Sequence, residues 1–367
     1  MMTFDLDQSY RLSRHVSIRP AGDAFVVESL TSGRAFPLSS PSVFRLLLAL
    51  ARPVRGRDLL AAVDEPQRPA VLCFLERCRG DGVLTAVGDD GEAEEEARGA
   101  LAHWEFHDLL FHVRSRRGRT PWPVGATYPL LGRVAPEPAF REDAAAGAIP
   151  LHRPDVGRLA EADVPFTRVL ERRRSRHGVR PVPLEALGDL LFRACRVTEV
   201  EDAGDGDALS RRPYPSGGSL HSLETYVTAW RCDGLERGLY RYRPREHDLV
   251  PVRGWDAEVE ALLADARAAA GGLPDHPPVL LTLACRLRRV SYKYQSLAYR
   301  VVLQEVGALY QTLYLVATAM GLAPCALGGG DSDRFARVTG TDYYHETSVG
   351  EFILGGPEPE SQAAAGG

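Results

Sequence analysis

The 367-residue chain is short of paired cysteines, of excess charge and of long apolar runs, and each shortage removes a class of function. Its six cysteines (Cys73, Cys78, Cys195, Cys232, Cys285, Cys325) form no Cys-x-x-Cys pair and have no histidine at metal-ligand spacing. Zinc-ribbon and dithiol redox readings therefore fall away, and buried reduced thiols are expected. A formal charge of -5 and a pI near 6.1 give no electrostatic footing on nucleic acid or an anionic membrane. Asp5 and Asp7 stand near the start where a secretory signal would place a basic segment and then an apolar one, so a reducing, cytoplasmic setting is expected. His103 and His107 sit one helical turn apart without a third ligand, and no metal is assigned.

What is present is organised around residues 279–330. The run Val279-Leu280-Leu281-Thr282-Leu283-Ala284-Cys285 reads as a buried strand, followed by a polar loop over 286–295 that holds Ser291-Tyr292-Lys293-Tyr294. From about Ser296 to Met320 apolar residues recur at Ala298, Val302, Val306, Leu309, Leu313, Val316 and Met320, the spacing of a helix face. Gly321 stands at the C-cap and Pro324 beyond it. Val301, Tyr310, Tyr314 and Leu315 make the other face apolar too, so the helix is expected to be buried all round, with Gly307 and three alanines allowing close approach at a subunit interface. A spanning helix needs ~20 apolar residues. Gln304, Glu305 and Gln311 interrupt this run, and no membrane is expected.

Ahead of this region, residues 1–90 read as short strands, three short helices and a closing strand at 83–87, a small winged-helix-like module. Its third helix, Val71-Leu72-Cys73-Phe74-Leu75-Glu76-Arg77, is not basic, so peptide or partner recognition is expected rather than DNA binding. Residues 91–163 read as a linking helix from Ala97 through His112 and a Pro- and Gly-rich connection over 121–150. The main domain is expected over 164–357, with a mobile acidic loop at 201–207, and 358–367 as a disordered tail.

Two stretches could hold a ligand. In Arg172-Arg173-Arg174-Ser175-Arg176-His177 a serine lies among guanidiniums, a good grip for a phosphate; the same run also suits a solvated face or a nucleic-acid patch. In Tyr214-Pro215-Ser216-Gly217-Gly218 adjacent glycines let a flat ligand approach without Cβ interference, though a plain turn between strands has the same composition.

Together with Gly238-Leu239-Tyr240-Arg241-Tyr242 and with Lys293-Tyr294 ahead of Ala298-Tyr299-Arg300, these motifs resemble, in order and separation, the SagB-type dehydrogenases over about 164–356. Those are FMN-dependent members of the nitroreductase superfamily that oxidise thiazolines and oxazolines to azoles in modified peptides. The resemblance implies an α+β sandwich that forms a homodimer around long helices, with FMN at the interface. It implies Arg173, Arg174 and Ser175 on the ribityl phosphate, Pro215, Ser216, Gly217 and Gly218 at the isoalloxazine from the other subunit, and Gly328 and Gly329 as a further backbone contact. His177 stands where the superfamily usually has Arg or Lys, which shifts phosphate binding onto Arg176 or makes it titrate near neutral pH. Lys293 and Tyr294 match the family's catalytic couple. A phenol is too weakly acidic to serve as a base near pH 7 unless an ammonium stands close to its oxygen. Tyr294 is thus expected as general base, with Lys293 as the charge that makes it one, provided both lie in the loop before the helix. The implied partners are a heterocyclised precursor peptide and a YcaO-type cyclodehydratase. A flavin reductase using NAD(P)H and a non-catalytic peptide-holding subunit are the competing functions.

Overall fold

A computed structural model describes residues 4–97, 99–141, 146–204 and 207–357. The chain divides into two compact units, Met1–Thr127 and Tyr128–Gly367. The expected tail at 358–367 lies outside the described residues.

In the first unit the strand Ser9–Leu12 lies between Val54–Arg55 and Leu84–Val87, antiparallel to both. A separate meander of Val16–Ala21, Ala24–Ser29 and Ala35–Leu38 follows. Helices Pro41–Ala49, Gly56–Ala61 and Arg68–Gly80 enclose a core of Val27, Leu47, Leu50, Leu75, Cys78 and Val83, all essentially without exposure. The helix expected from Ala97 starts only at Phe106, because Trp104 and Glu105 are extended (ψ 120° and 151°). That helix, Phe106–Arg114, packs Leu109 and Val113 on Leu30 and pairs Arg114 with the buried Glu28. The first unit thus reaches well past residue 90.

The second unit is built on a seven-stranded antiparallel sheet. Its spatial order is Ala323–Leu327, Glu346–Gly355, Val279–Arg286, Leu223–Ala229, Gly238–Arg243, Asp248–Gly254 and Ile149–Pro150. Val279–Arg286 and Leu223–Ala229 are buried at every position, and the nearly continuous apolar run of the first reflects this, while the second also buries Glu224, Thr225 and Thr228. One sheet face carries the long helix Ala298–Ala319 and the helix Leu184–Cys195, with Leu187, Leu191, Val227, Leu281, Leu309, Leu313 and Phe352 between them. The other face carries Ala257–Ala269 and Ser332–Thr339 over Val259, Leu263, Leu280, Phe335 and Ile353. Phe352 and Ile353, adjacent on one strand, enter opposite layers, as period-two alternation requires. The result is an α+β sandwich.

Three expectations change here. Ile149–Pro150, in the Pro/Gly-rich connection, is the sheet's edge strand, so this unit begins before 164. The segment read as a mobile acidic loop is a hairpin of Glu199–Gly204 and Asp207–Arg211, with Arg211 paired to Glu199 and Glu201. And the long helix is not buried all round within one chain: Tyr299, Leu303, Gly307 and Gln311, spaced by four, form an exposed stripe. No helix of the described residues is long and apolar enough to cross a membrane. Of the six thiols all but Cys73 are buried, and none is in a disulfide.

Candidate functional site

The strand Val279–Arg286 ends on Arg286, which is buried and paired with Glu137 at 2.9 Å and Glu224 at 3.3 Å. A one-turn helix, Leu287–Ser291, replaces the first half of the expected polar loop. Its buried Arg289 donates to three backbone carbonyls, Leu220 at 2.6 Å, Glu137 at 2.7 Å and Ala208 at 2.8 Å. That fork fastens the connection carrying Lys293 and Tyr294 to the segment that follows Gly217–Ser219. Both residues lie between the short helix and the long one, so their side chains are not forced apart by helical geometry.

Lys293 and Tyr294 converge on Gly218. A methyl group placed on Gly218 would lie 2.7 Å from Lys293 Nζ and 2.8 Å from Tyr294 Oη. The lysine Nζ also stands 5.6 Å from the centre of the Tyr294 ring. Gly218 has φ 66°, and the next residues keep the turn strained: Ser219 has φ 56° and His221 has φ 43°. A methyl on Gly217 would collide with Val301 on the long helix. Glycine is therefore required at both positions for backbone to come this close.

Ser216 faces inward. Its hydroxyl donates to Glu305 Oε2 at 2.9 Å and accepts from the His221 N–H at 3.0 Å. Pro215 and Gly218 are exposed, so what the motif offers outward is backbone. Burial raises the Glu305 carboxyl above its usual range, with hydrogen bonds from Ser216 and Ser222 and the nearby Arg212 opposing it. Burial, together with Arg212 and Arg289, pushes His221 down to about 3, so it is neutral at pH 7. Glu305, Ser222 and Arg289 were not singled out from sequence. The signal for Glu305 was there: an acid at i+3 from Val302 and i-4 from Leu309, on the face of the helix that the apolar residues mark as buried.

The second group of residues lies along the same helix but well away. Arg173 stacks over the Tyr314 ring at 5.3 Å, and Ser175 Oγ meets Tyr314 Oη at 2.8 Å. The Ala326 N–H donates to the same phenol oxygen at 2.8 Å, and the Arg176 N–H donates to the Pro324 carbonyl at 2.8 Å. His177 turns its Nε2 to Cys325 Sγ at 3.3 Å. Arg174 donates to the carbonyls of Glu171 and Arg173, and neither Arg173 nor Arg174 pairs with a carboxylate among the described residues. Gly328 and Gly329 follow the strand Ala323–Leu327 and are exposed, with open space where side chains would be.

At 1.5 Å per residue, Tyr314 and Val301 are about 20 Å apart on the helix axis. One chain therefore brings Pro215, Ser216, Gly217 and Gly218 together with Lys293 and Tyr294. It keeps Arg173, Arg174, Ser175, Arg176 and His177 in a separate cluster. Both clusters fit parts of FMN: the Arg173 and Arg174 guanidiniums, without carboxylate partners among the described residues, lie beside a hydroxyl and suit a phosphate, and a glycine surface bare of Cβ atoms suits a flat ring. Among the described residues no three His, Cys, Asp or Glu side chains gather as a metal-holding group.

Comparison with known proteins finds two families along the chain. Residues 10–121 match the family described as cyanobactin oxidase ThcOx, and residues 173–355 match the nitroreductase family. The nitroreductase-family protein MJ1384 of Methanocaldococcus jannaschii is 30% identical over 176 residues, 48% of this chain and 81% of its own. The microcin B17-processing protein McbC of Escherichia coli is 31% identical over 119 residues, 30% of this chain and 42% of its own. The trifolitoxin-processing protein TfxB of Rhizobium leguminosarum bv. trifolii is 28% identical over 157 residues, 40% of this chain and 41% of its own. The chain thus spans about two-fifths of the length of either processing protein. The resemblance read from the four motifs holds: this chain belongs to the nitroreductase family, and residues 10–121 ahead of that domain resemble the cyanobactin oxidase ThcOx.

Proposed function

We propose that the protein is an FMN-dependent dehydrogenase that oxidises thiazoline or oxazoline rings of a peptide to the corresponding azoles. The observation that carries this reading is the convergence of Lys293 Nζ and Tyr294 Oη on the bare backbone of Gly218. Similarity to the McbC and TfxB processing proteins and to the cyanobactin oxidase family supports it.

Conversion of an azoline to an azole removes two hydrogens, one leaving Cα as a proton and the other leaving Cβ as hydride. FMN, when bound, supplies the acceptor for the hydride. Tyr294 takes the Cα proton as general base, and Lys293 Nζ stands beside it at the same glycine. Gly217 and Gly218 give the flat ring a backbone surface, while Arg173, Arg174, Arg176 and Ser175 hold the phosphate. His177, turned to Cys325, contributes little to that grip.

Because the two clusters stand about 20 Å apart on one helix, a second copy completes each site, and the protein is a homodimer. The exposed stripe of Tyr299, Leu303, Gly307 and Gln311 is the face we assign to that contact, with Gly307 allowing close approach. The N-terminal unit, with strands and three helices in winged-helix order, holds the precursor peptide or a YcaO-type cyclodehydratase that forms the azoline in the cytoplasm. Incubation of the FMN-loaded protein with a thiazoline-bearing peptide, followed by mass spectrometry, tests the reading: loss of about 2 Da per ring is expected. An unchanged peptide mass, together with rapid flavin bleaching by NAD(P)H without oxygen, would point instead to a flavin reductase.

A further inference from the structure

We propose that Glu305 is the positioning residue of the Ser216–Gly217–Gly218 turn, acting through Ser216 and Ser222 to hold the glycine backbone open toward Lys293 and Tyr294. This rests on the FMN reading for its purpose, though not for its geometry.

Glu305 projects from the buried face of the long helix and its side chain has no exposed surface. One carboxylate oxygen, Oε2, accepts from Ser216 Oγ at 2.9 Å, Ser222 Oγ at 3.0 Å and the Ser222 N–H at 3.4 Å. Those donors flank the turn on both sides, and Ser216 closes the circuit by accepting from the His221 N–H at 3.0 Å. The other oxygen, Oε1, has no hydrogen-bond partner, and His221 Nδ1, 4.0 Å away, has none either. All of the carboxylate's bonding is therefore directed at the turn.

The turn needs such a clasp. Gly218, Ser219 and His221 are all left-handed, and two of the three bear side chains that disfavour that conformation. Without a fixed acceptor beneath it, Ser216 Oγ would be free to rotate, and the segment would relax toward ordinary φ values. A carboxyl group buried in an apolar helix face is costly to keep, and losing its donors would leave its polar oxygens unsatisfied. The clasp and the strained turn thus hold each other. Since the Ser216 hydroxyl is spent inward, flavin recognition at this motif falls to the amides of Gly217 and Gly218, whose placement Glu305 sets.

The test is a double-mutant cycle in the full-length protein with Glu305→Ala, Ser216→Ala and the pair, and with Glu305→Gln as the conservative variant. FMN dissociation constants are read by flavin fluorescence, and hydrogen exchange is read at the amides of residues 217–222 in the apoprotein. Each single variant is expected to weaken FMN binding about tenfold. The double variant should lose no more than either single, and Glu305→Gln, which keeps an oxygen for both serines, should stay within about threefold of wild type. Exchange over 217–222 should quicken about tenfold in both alanine variants. Additive losses, or unchanged FMN affinity and exchange, would overturn the proposal. If Glu305→Ala does not fold, Ser216→Ala and Ser222→Ala carry the same comparison, and unchanged exchange in both overturns it. Wild-type protein that binds no FMN yet shows the exchange pattern would leave the clasp standing and sink the flavin reading.

Discussion

At the scale of single residues, the site is a meeting of two side chains with one missing Cβ. Tyr294→Phe removes only the hydroxyl beside Gly218, so the variant should keep its bound flavin and lose azole formation by about two to four orders of magnitude. A yellow variant with wild-type turnover in the mass assay would show that another group takes the proton. Gly218→Ala adds a methyl where Lys293 Nζ and Tyr294 Oη already stand and forces alanine to φ 66°. It should lower unfolding free energy by about 1–2 kcal/mol, and turnover should fall much further than that loss of stability explains. A third residue, Glu351, is buried, and burial alone raises its carboxyl from 4.5 to about 7. Its folded form holds a proton that the unfolded chain has released, so stability should fall as pH rises from about 4.5 to about 7, by roughly 2–3 kcal/mol. Denaturant unfolding should find Glu351→Gln close to wild type at pH 5 and more stable than wild type at pH 8.

At the scale of elements, the long helix does most of the organising. It contributes Leu309 and Leu313 to the core, Val301 and Glu305 to the glycine turn, and Tyr314 to the arginine–serine segment. Leu313 has no exposed surface, and Leu313→Ala should cost about 2–5 kcal/mol in urea unfolding. The helix was legible because its apolar residues recur at three and four, with Gly321 and Pro324 marking its end. Its register against the rest was not. Glu305 looked like an interruption of an apolar run, since the donors that explain it lie 83 and 89 residues away in sequence. The hairpin at 199–211 was missed for a related reason: its acidic residues read as loop, whereas pairing with Arg211 offsets them. The Lys293–Tyr294 pair is different again. Nothing in a Lys-Tyr dipeptide marks it out, and only its place among the other motifs did; the short helix before it and the fork of Arg289 were invisible.

At the scale of the molecule, the separation of the two clusters along one helix is the main fact. A dimer paired through the exposed stripe would make Leu303 central. Leu303→Arg should convert a dimer to a monomer in sedimentation velocity and release the flavin with it. A variant that stays dimeric and yellow would move the interface elsewhere. The strand order of the sandwich was only partly legible: the central strand at 279–286 announced itself as an apolar run and 223–229 as an alternating one, but Ile149–Pro150 joins the sheet edge from a stretch whose prolines and glycines suggested a connection.

The arginine–serine segment rests on Tyr314, Pro324 and Cys325, and just after it Arg180 accepts from the Gly356 N–H at 2.9 Å while Gly178 abuts Gly355. Ribosomes deliver the basic stretch early and its supports more than a hundred residues later. If that stretch grips the FMN phosphate as proposed, a nascent chain cannot sequester it there; loading would wait until translation has passed the final strand, and stalled fragments would stay colourless.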